Sequence, residues 1–200
     1  MKKRIIFATK NEGKLREIRM IMHDVDCEIL SMAQAGFETE PEEDGATFEE
    51  NALIKARAVA KASGEMVLAD DSGLEIDYLD GAPGIYSARY LGYDTPYAEK
   101  NRIILDLLKN VPDEKRSARF VCAIAAVTPE GDTFTVRETM EGMIGHEAEG
   151  ENGFGYDPIF YLPAFGCSSA SISPEQKNEI SHRGKALRAM KEKLKAYLSE

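Results

Sequence analysis

The chain is 200 residues long and 43% hydrophobic, enough for a substantial core in one domain, or one domain with two lobes. Thirty-five acidic residues against 25 basic ones leave a formal net charge of −10, which argues against a nucleic-acid-binding surface and against docking on an anionic membrane. The start Met1-Lys2-Lys3-Arg4 is followed by too short an apolar run for a signal peptide, no stretch approaches the ~20 apolar residues of a membrane span, and Cys27, Cys122 and Cys167 read as reduced thiols, so a cytoplasmic protein is expected.

In chain order, residues 5–8 read as a buried strand, and Leu15, Ile18, Ile21 and Met22 follow at helical spacing. Between them lies Thr9-Lys10-Asn11-Glu12-Gly13-Lys14. A strand-loop-helix of this composition suits a phosphate, because loop N–H groups and the helix N-terminus supply donors and lysine supplies charge. It is not a P-loop, since the GxxxxGK[ST] pattern is absent. The acidic stretch 38–44 reads as a loop. Thr47 with Glu50 is a capping-box signature opening a helix to about Ser63, with Phe48, Leu53, Ala56, Val59 and Ala60 facing inward and Gly64 ending it.

The run Met66-Val67-Leu68-Ala69 reads as a buried strand that ends in Asp70-Asp71-Ser72-Gly73. Carboxylates at the carboxyl end of a buried strand are poorly placed for packing and well placed for a ligand, and burying them calls for a cation nearby. Side chains alternate along an extended chain, so one acid can face a site while the other braces the turn. The same residues also read as a solvated turn.

Extended pieces are expected over 74–78, a Gly-Pro loop over 81–84 and a helix from Thr95-Pro96 to about Asn110. Residues 119–128 and 133–142, joined by Pro129-Glu130-Gly131-Asp132, read as a hairpin. Gly153-Phe154-Gly155-Tyr156-Asp157-Pro158 sets two rings and an acid among glycines, a candidate stacking platform for a flat ligand. A short strand over 158–161, a short helix opened by Ser173-Pro174-Glu175 and a closing helix over 185–198 complete the pattern. The class is α/β with a mixed sheet. Before the closing helix, Ser181-His182-Arg183-Gly184-Lys185 places positive charge at a helix start, which suits an anion better than it suits the helix.

Six segments, ATKNEGK, EEDGATFEENALIKA, ADDSGL, GAPGIYSARY, GFGYDPIF and ISHRGKAL, stand in the order and at the spacing of the inosine triphosphatase family. The resemblance spans nearly the whole chain. It departs where the family often has Gly-Thr-Gly-Gly and this chain has Gly150-Glu151-Asn152-Gly153. The bacterial RdgB-like members are noncanonical purine nucleoside triphosphate pyrophosphatases, acting as dITP/XTP diphosphatases. The resemblance therefore implies an elongated mixed sheet flanked by helices, two lobes with a central cleft, and a homodimer. It also implies hydrolysis of ITP, dITP and XTP to monophosphate and pyrophosphate, cleansing the nucleotide pool.

Such chemistry needs charge neutralised on the phosphates and an activated water. Mg²⁺ takes few carboxylates and keeps several waters. Asp71 is expected to hold Mg²⁺ or its water and, by resemblance, to be the general base. Glu43 is the expected second metal carboxylate, with Glu42 as a substitute and Asp70 as an assistant. Thr9, Asn11 and Lys14, within the loop that also holds Lys10, Glu12 and Gly13, should grip the phosphates with Ser72, and Lys55 could reach them. Phe154 should stack on the base, with Gly155, Tyr156 and Asp157 lining the pocket. Lys177, His182 and Arg183 should read the base, because pure donors complement the 6-oxygen of inosine and xanthine and oppose the amino group of adenine. Two other functions remain open: a Maf-type pyrophosphatase for other modified or pyrimidine nucleotides, and a non-catalytic nucleotide binder. The base-reading cluster argues against the former and the Glu43–Asp71 carboxylates against the latter.

Overall fold

The structure is a computed structural model and describes residues 3–38 and 41–199. Met1 and Lys2 of the basic start, and Thr39 and Glu40 of the acidic loop, lie outside the described residues. Seven strands run in the order β2-β1-β3-β4-β5-β6-β7. Contacts divide the chain into two units, one made of Met1–Asp71, Cys122–Glu138 and Arg183–Glu200, the other of Ser72–Val121 and Thr139–His182.

In the first unit β1 (Lys3–Phe7), α1 (Glu12–Ile21) and β2 (Cys27–Ser31) form a β-α-β turn with the two strands parallel, paired from Lys3–Cys27 to Phe7–Ser31. Strand β2 was not expected; it is only partly buried and offers no apolar run to the eye. Helix α2 (Phe48–Ser63) leads to β3 (Met66–Ile76), which pairs parallel with β1 from Ile5–Met66 to Phe7–Leu68. The strand alternation then sorts the core. Ile5, Phe7, Met66 and Leu68 pack with Leu15 and Ile18 of α1 and with Leu187, Met190 and Leu194 of α5 (His182–Leu198). Ile6, Ala8, Val67 and Ala69 pack with Ala52, Ala56 and Val59 of α2. Full burial of one Leu or Ile side chain is worth about 1.5–3 kcal/mol, so these two layers hold the unit.

Helix α2 matches its expected span, with Thr47 accepting from the Glu50 N–H at 3.1 Å and Gly64 left-handed at φ 67°. Glu50 reaches back to the Ala46 N–H at 2.6 Å, one residue further than a capping box requires.

The second unit holds α3 (Tyr97–Leu107), α4 (Pro174–Ile180), β6 (Phe160–Leu162), β7 (Cys167–Ser168), and segments of the long strands β4 (Ser117–Val127) and β5 (Thr133–Ile144). Leu74, Ile76, Ile104, Leu108, Phe120, Ile144 and Phe160 form its core. Arg116 is buried inside it and donates to the carbonyls of Ile144 and Leu108 at 2.8 and 2.5 Å. Such a guanidinium is tolerable because its N–H groups are satisfied by backbone oxygens.

Several boundaries differ from expectation, among them β1, which spans Lys3–Phe7 instead of 5–8. Strand β3 does not stop at Ala69 but continues to Ile76 through both aspartates. Helix α3 ends at Leu107 instead of Asn110. Residues 158–159 lie in a 3₁₀ turn, Asp157–Ile159, and β6 begins at Phe160. Helix α5 begins at His182, three residues early, and its first turn carries no acid.

Candidate active site

Strand β1 ends at Phe7, opposite Leu68, so Asp70 and Asp71 extend two and three residues beyond the last β1 pair. They therefore lie past the carboxyl end of their parallel neighbour, where α/β sheets bind ligands, although β3 itself runs on. Both are buried, at 2% and 8% exposure.

Alternation sends them to opposite faces. Asp70 takes the Met66–Leu68 side, where α1 and α5 pack. There Lys14 Nζ lies 2.8 Å from its Oδ2 and Arg183 Nε lies 3.6 Å away. Arg183 Nη1 also reaches Glu17 at 3.4 Å. Burial opposes the charge of Asp70, but Lys14, Arg183 and Lys55 outweigh it and hold its pKa well below the usual carboxylate value.

Asp71 takes the α2 side. Lys55 Nζ lies 3.7 Å from its Oδ1 and 3.3 Å from Glu43 Oε1, bringing the acidic loop, α2 and β3 together. Burial pushes the Asp71 pKa up, Lys55 pulls it down, and Glu43 and Asp70 push it up again; the net direction is upward. Burial works against Lys55 too, yet Asp71, Asp70 and Glu43 keep its pKa above the usual value. Lys55 thus stands between two neighbouring carboxylates, one of them buried, and a hard divalent cation would add further counter-charge there. Among the described residues no group of three or more His, Cys, Asp or Glu converges into a closed metal cage. The Glu43–Asp71 pair suits Mg²⁺, which is usually held by one or two carboxylates together with water and substrate phosphate. Glu42 is exposed.

The loop after β1 is shorter than expected. Asn11 is the N-cap of α1, its carboxamide oxygen accepting from the Gly13 and Lys14 N–H groups at 2.8 and 3.2 Å. Glu12, Gly13 and Lys14 thus belong to the first turn of the helix. Thr9 Oγ1 accepts from the Asn11 N–H at 3.1 Å. Asn11 and Thr9 spend these acceptors on building the turn, while Lys10 and Glu12 are exposed.

In the second unit Phe154 is 58% exposed, and Lys177 Nζ lies 5.3 Å from its ring centroid. Asp157 is buried and anchors the loop: its Oδ2 pairs with Lys177 and accepts from the Phe154 N–H at 2.8 Å, and its Oδ1 accepts from Ser169 Oγ at 2.8 Å. Gly153 sits at φ +76°, and a Cβ there would lie 2.3 Å from Asp157 Oδ2. In the departing segment, the Asn152 N–H donates to Ala170 O at 2.8 Å and its Nδ2 to Ile172 O at 3.0 Å.

Tyr156, expected to line the pocket, is buried instead. Its ring packs edge-on to Tyr97 at 5.1 Å, and its hydroxyl donates to Ser87 O at 2.7 Å. His182 is also buried, stacked on Phe120 at 5.0 Å. The structure assembles Lys14, Asp70 and Arg183 in one set, Glu43, Lys55 and Asp71 in a second, and Phe154, Asp157 and Lys177 in a third. Ser72 is partly buried, next to the first unit's boundary.

Three residues escaped sequence reasoning. Asn101 donates to Gly155 O at 3.0 Å. Glu17 partners Arg183. Asn51, wholly buried in α2, accepts from the Gly45 N–H at 2.9 Å. Only Asn51 had a visible signal, a polar residue at helical spacing within the apolar stripe of Phe48, Ala52 and Ala56.

The model of the Ham1 family matches residues 5–193, and the chain belongs to that family. A dITP/XTP pyrophosphatase of Exiguobacterium sibiricum is 46% identical over 197 residues, covering 98% of this chain and 100% of that protein. One of Bacillus subtilis is 46% identical over 194 residues, covering 97% and 98%. The solved structure of the Staphylococcus aureus Ham1 protein superposes with a TM-score of 0.90 at 40% identity, covering 98% of this chain and 100% of that one. A nucleoside-triphosphatase / dITP/XTP pyrophosphatase of Mycobacterium abscessus gives a TM-score of 0.79 at 42% identity, covering 94% and 98%. The inosine triphosphatase resemblance read from the motifs holds, and nothing in these relatives favours a Maf-type activity.

Proposed function

We propose that this chain is a hydrolase that cleaves noncanonical purine nucleoside triphosphates, ITP, dITP and XTP, to the monophosphate and pyrophosphate, and so keeps deaminated purines out of the nucleotide pool. One observation carries the reading of the chemistry: adjacent aspartates, Asp70 and Asp71, face opposite sides of β3, Asp70 against Lys14 and Arg183, and Asp71 beside Lys55, which also meets Glu43. The names of the relatives support the substrate class.

The roles assigned on this reading are these. Glu43 and Asp71 would hold Mg²⁺, which supplies neutralisation of phosphate charge when bound. Asp71 is also assigned, on the family resemblance, to accept the proton of an attacking water. Lys55 balances the two carboxylates and is a donor for a phosphate oxygen. Lys14, at the start of α1, offers charge beside backbone N–H groups, and Thr9, Asn11 and Ser72 add polar contacts. Asp70 braces Lys14 and Arg183. Phe154 offers an exposed face for stacking, set by Asp157 and Lys177. Lys177, His182 and Arg183 carry the donors that favour a 6-oxo purine.

The test is a nucleotide panel with product identification. Monophosphate and pyrophosphate from dITP and XTP, with dATP nearly inert, is the expected result. Orthophosphate and a diphosphate would overturn the reading. The same proposal puts the protein in the cytoplasm, in keeping with Cys27, Cys122 and Cys167 standing outside any disulfide, and makes it a homodimer, which rests on the family resemblance and is tested by sedimentation. No helix among the described residues is long and apolar enough to cross a membrane.

A further inference from the structure

We propose that Asn51 is a positioning residue for the Glu43–Asp71 carboxylate pair: its carboxamide oxygen ties the Glu43 loop to the head of α2, and its buried amide nitrogen is left as a donor for a group that arrives with the ligand. The inference rests on the proposed function for what the pair does, and on geometry for the link itself.

Asn51 is fully buried on a helix whose other buried positions are Phe48, Ala52, Ala56 and Val59. Packing alone does not call for an amide there, since burying one costs free energy unless it is bonded. Its Oδ1 accepts from the Gly45 N–H at 2.9 Å, two residues after Glu43. The fit is close: a Cβ at Gly45 would lie 2.7 Å from Asn51 Oδ1 and 2.8 Å from Glu50 Cβ. Glu50 adds a second latch through the Ala46 N–H at 2.6 Å. The loop is therefore seated on the first turns of α2 by two side chains of that helix. Lys55, one turn further on the same face, meets the Glu43 carboxylate that this seating delivers, at 3.3 Å.

The other end of the carboxamide is a spare donor. Asn51 Nδ2 is buried with no well-formed hydrogen bond among the described residues. A buried donor left in that state is costly, and it is most readily satisfied by a group that arrives with the ligand, such as a water or phosphate oxygen.

The test uses Asn51→Leu, Gly45→Ala and Asn51→Asp in the full chain. It reads Mn²⁺ binding to the protein alone by electron paramagnetic resonance, thermal melting, and kcat and KM for dITP separately. Asn51→Leu and Gly45→Ala should weaken Mn²⁺ at least tenfold and lower kcat at least tenfold, with KM within threefold. Asn51→Asp keeps the oxygen for Gly45 and loses the donor, so it should bind Mn²⁺ no more weakly than wild type while kcat falls at least tenfold. If Asn51→Leu does not fold, Gly45→Ala, which leaves the Asn51 side chain in place, decides the loop link. Mn²⁺ affinity and kcat within twofold of wild type in Asn51→Leu or Gly45→Ala would overturn the proposal. If wild type releases no pyrophosphate from dITP, the functional reading fails instead, and the Mn²⁺ arm still decides the role of Asn51.

Discussion

Lys14 Nζ lies 2.8 Å from Asp70 Oδ2, so the lysine expected to grip phosphate is held in advance by a buried carboxylate. Asp70 serves Arg183 in the same way at 3.6 Å. It is a brace for two cations, while its neighbour Asp71 faces the other side of the strand, beside Lys55.

Replacing Asp70 by Asn should therefore cost stability first. It removes the buried counter-charge of Lys14 and Arg183, and breaking a buried pair costs about 3–5 kcal/mol. The pH dependence has a definite sign. The folded-state pKa of Asp70 lies below its ordinary value of 3.8, so its contribution is present above that value and is lost as pH falls through the folded value. Urea unfolding should show the gap between wild type and Asp70→Asn narrowing from pH 5 toward pH 2. A gap that widens on acidification would refute this account.

Asp71→Asn should behave in the opposite way. The folded pKa of Asp71 is raised above 3.8, so ionising it opposes folding, and that cost grows as pH rises through the folded value. The variant should lose turnover by a factor on the order of 10³ while melting at or above the wild-type temperature at pH 7. Turnover near normal would remove Asp71 from the mechanism, and a large drop in melting temperature would show that its charge is structural.

Phe154 and Arg183 make separable claims about base choice. Stacking tolerates any purine, so Phe154→Ala should weaken dITP and dATP alike, by about 1–3 kcal/mol each. Arg183→Ala should bring the ratio of the two kcat/KM values toward one, because it removes a donor that suits a 6-oxygen and opposes a 6-amino group. Arg183 is also a partner of Asp70, so that variant should lose stability as well. The ratio is unaffected by that loss, since both substrates meet the same folded fraction. An unchanged ratio would move base reading to other residues.

Gly153→Ala should disable the stacking loop. The position has φ +76°, and its new Cβ would sit 2.3 Å from the Asp157 oxygen that fixes the Phe154 N–H. KM for dITP should rise tenfold or more while kcat changes less. Wild-type kinetics in this variant would mean that the Asp157 anchor does not set the ring.

Chelation should abolish turnover, and added Mg²⁺ should restore it, because Lys55 is engaged with Glu43 and Asp71 and one lysine does not neutralise a triphosphate. Full activity in excess EDTA would exclude the carboxylate pair as a metal site.

Local order was written in the sequence wherever neighbours alone decide conformation. The Thr47 cap and Gly64 stop of α2 and the Ser173-Pro174 start of α4 depend on contacts within a few residues, and each stands where its side-chain chemistry put it. The alternation that separates Asp70 from Asp71 is likewise a property of any extended chain. Tertiary packing decided the rest. Strand β3 runs through Asp70-Asp71 because Lys14, Arg183 and Lys55, all distant in sequence, supply the charge that makes two buried carboxylates tolerable. Tyr156 left the expected pocket because Tyr97 and the Ser87 carbonyl offered its ring and hydroxyl a buried place. Asn51 stands out in the sequence as a polar residue in an apolar stripe, but its partner became legible only when the fold set Gly45 against its oxygen, since one residue in a sequence does not show which strand or loop will meet it.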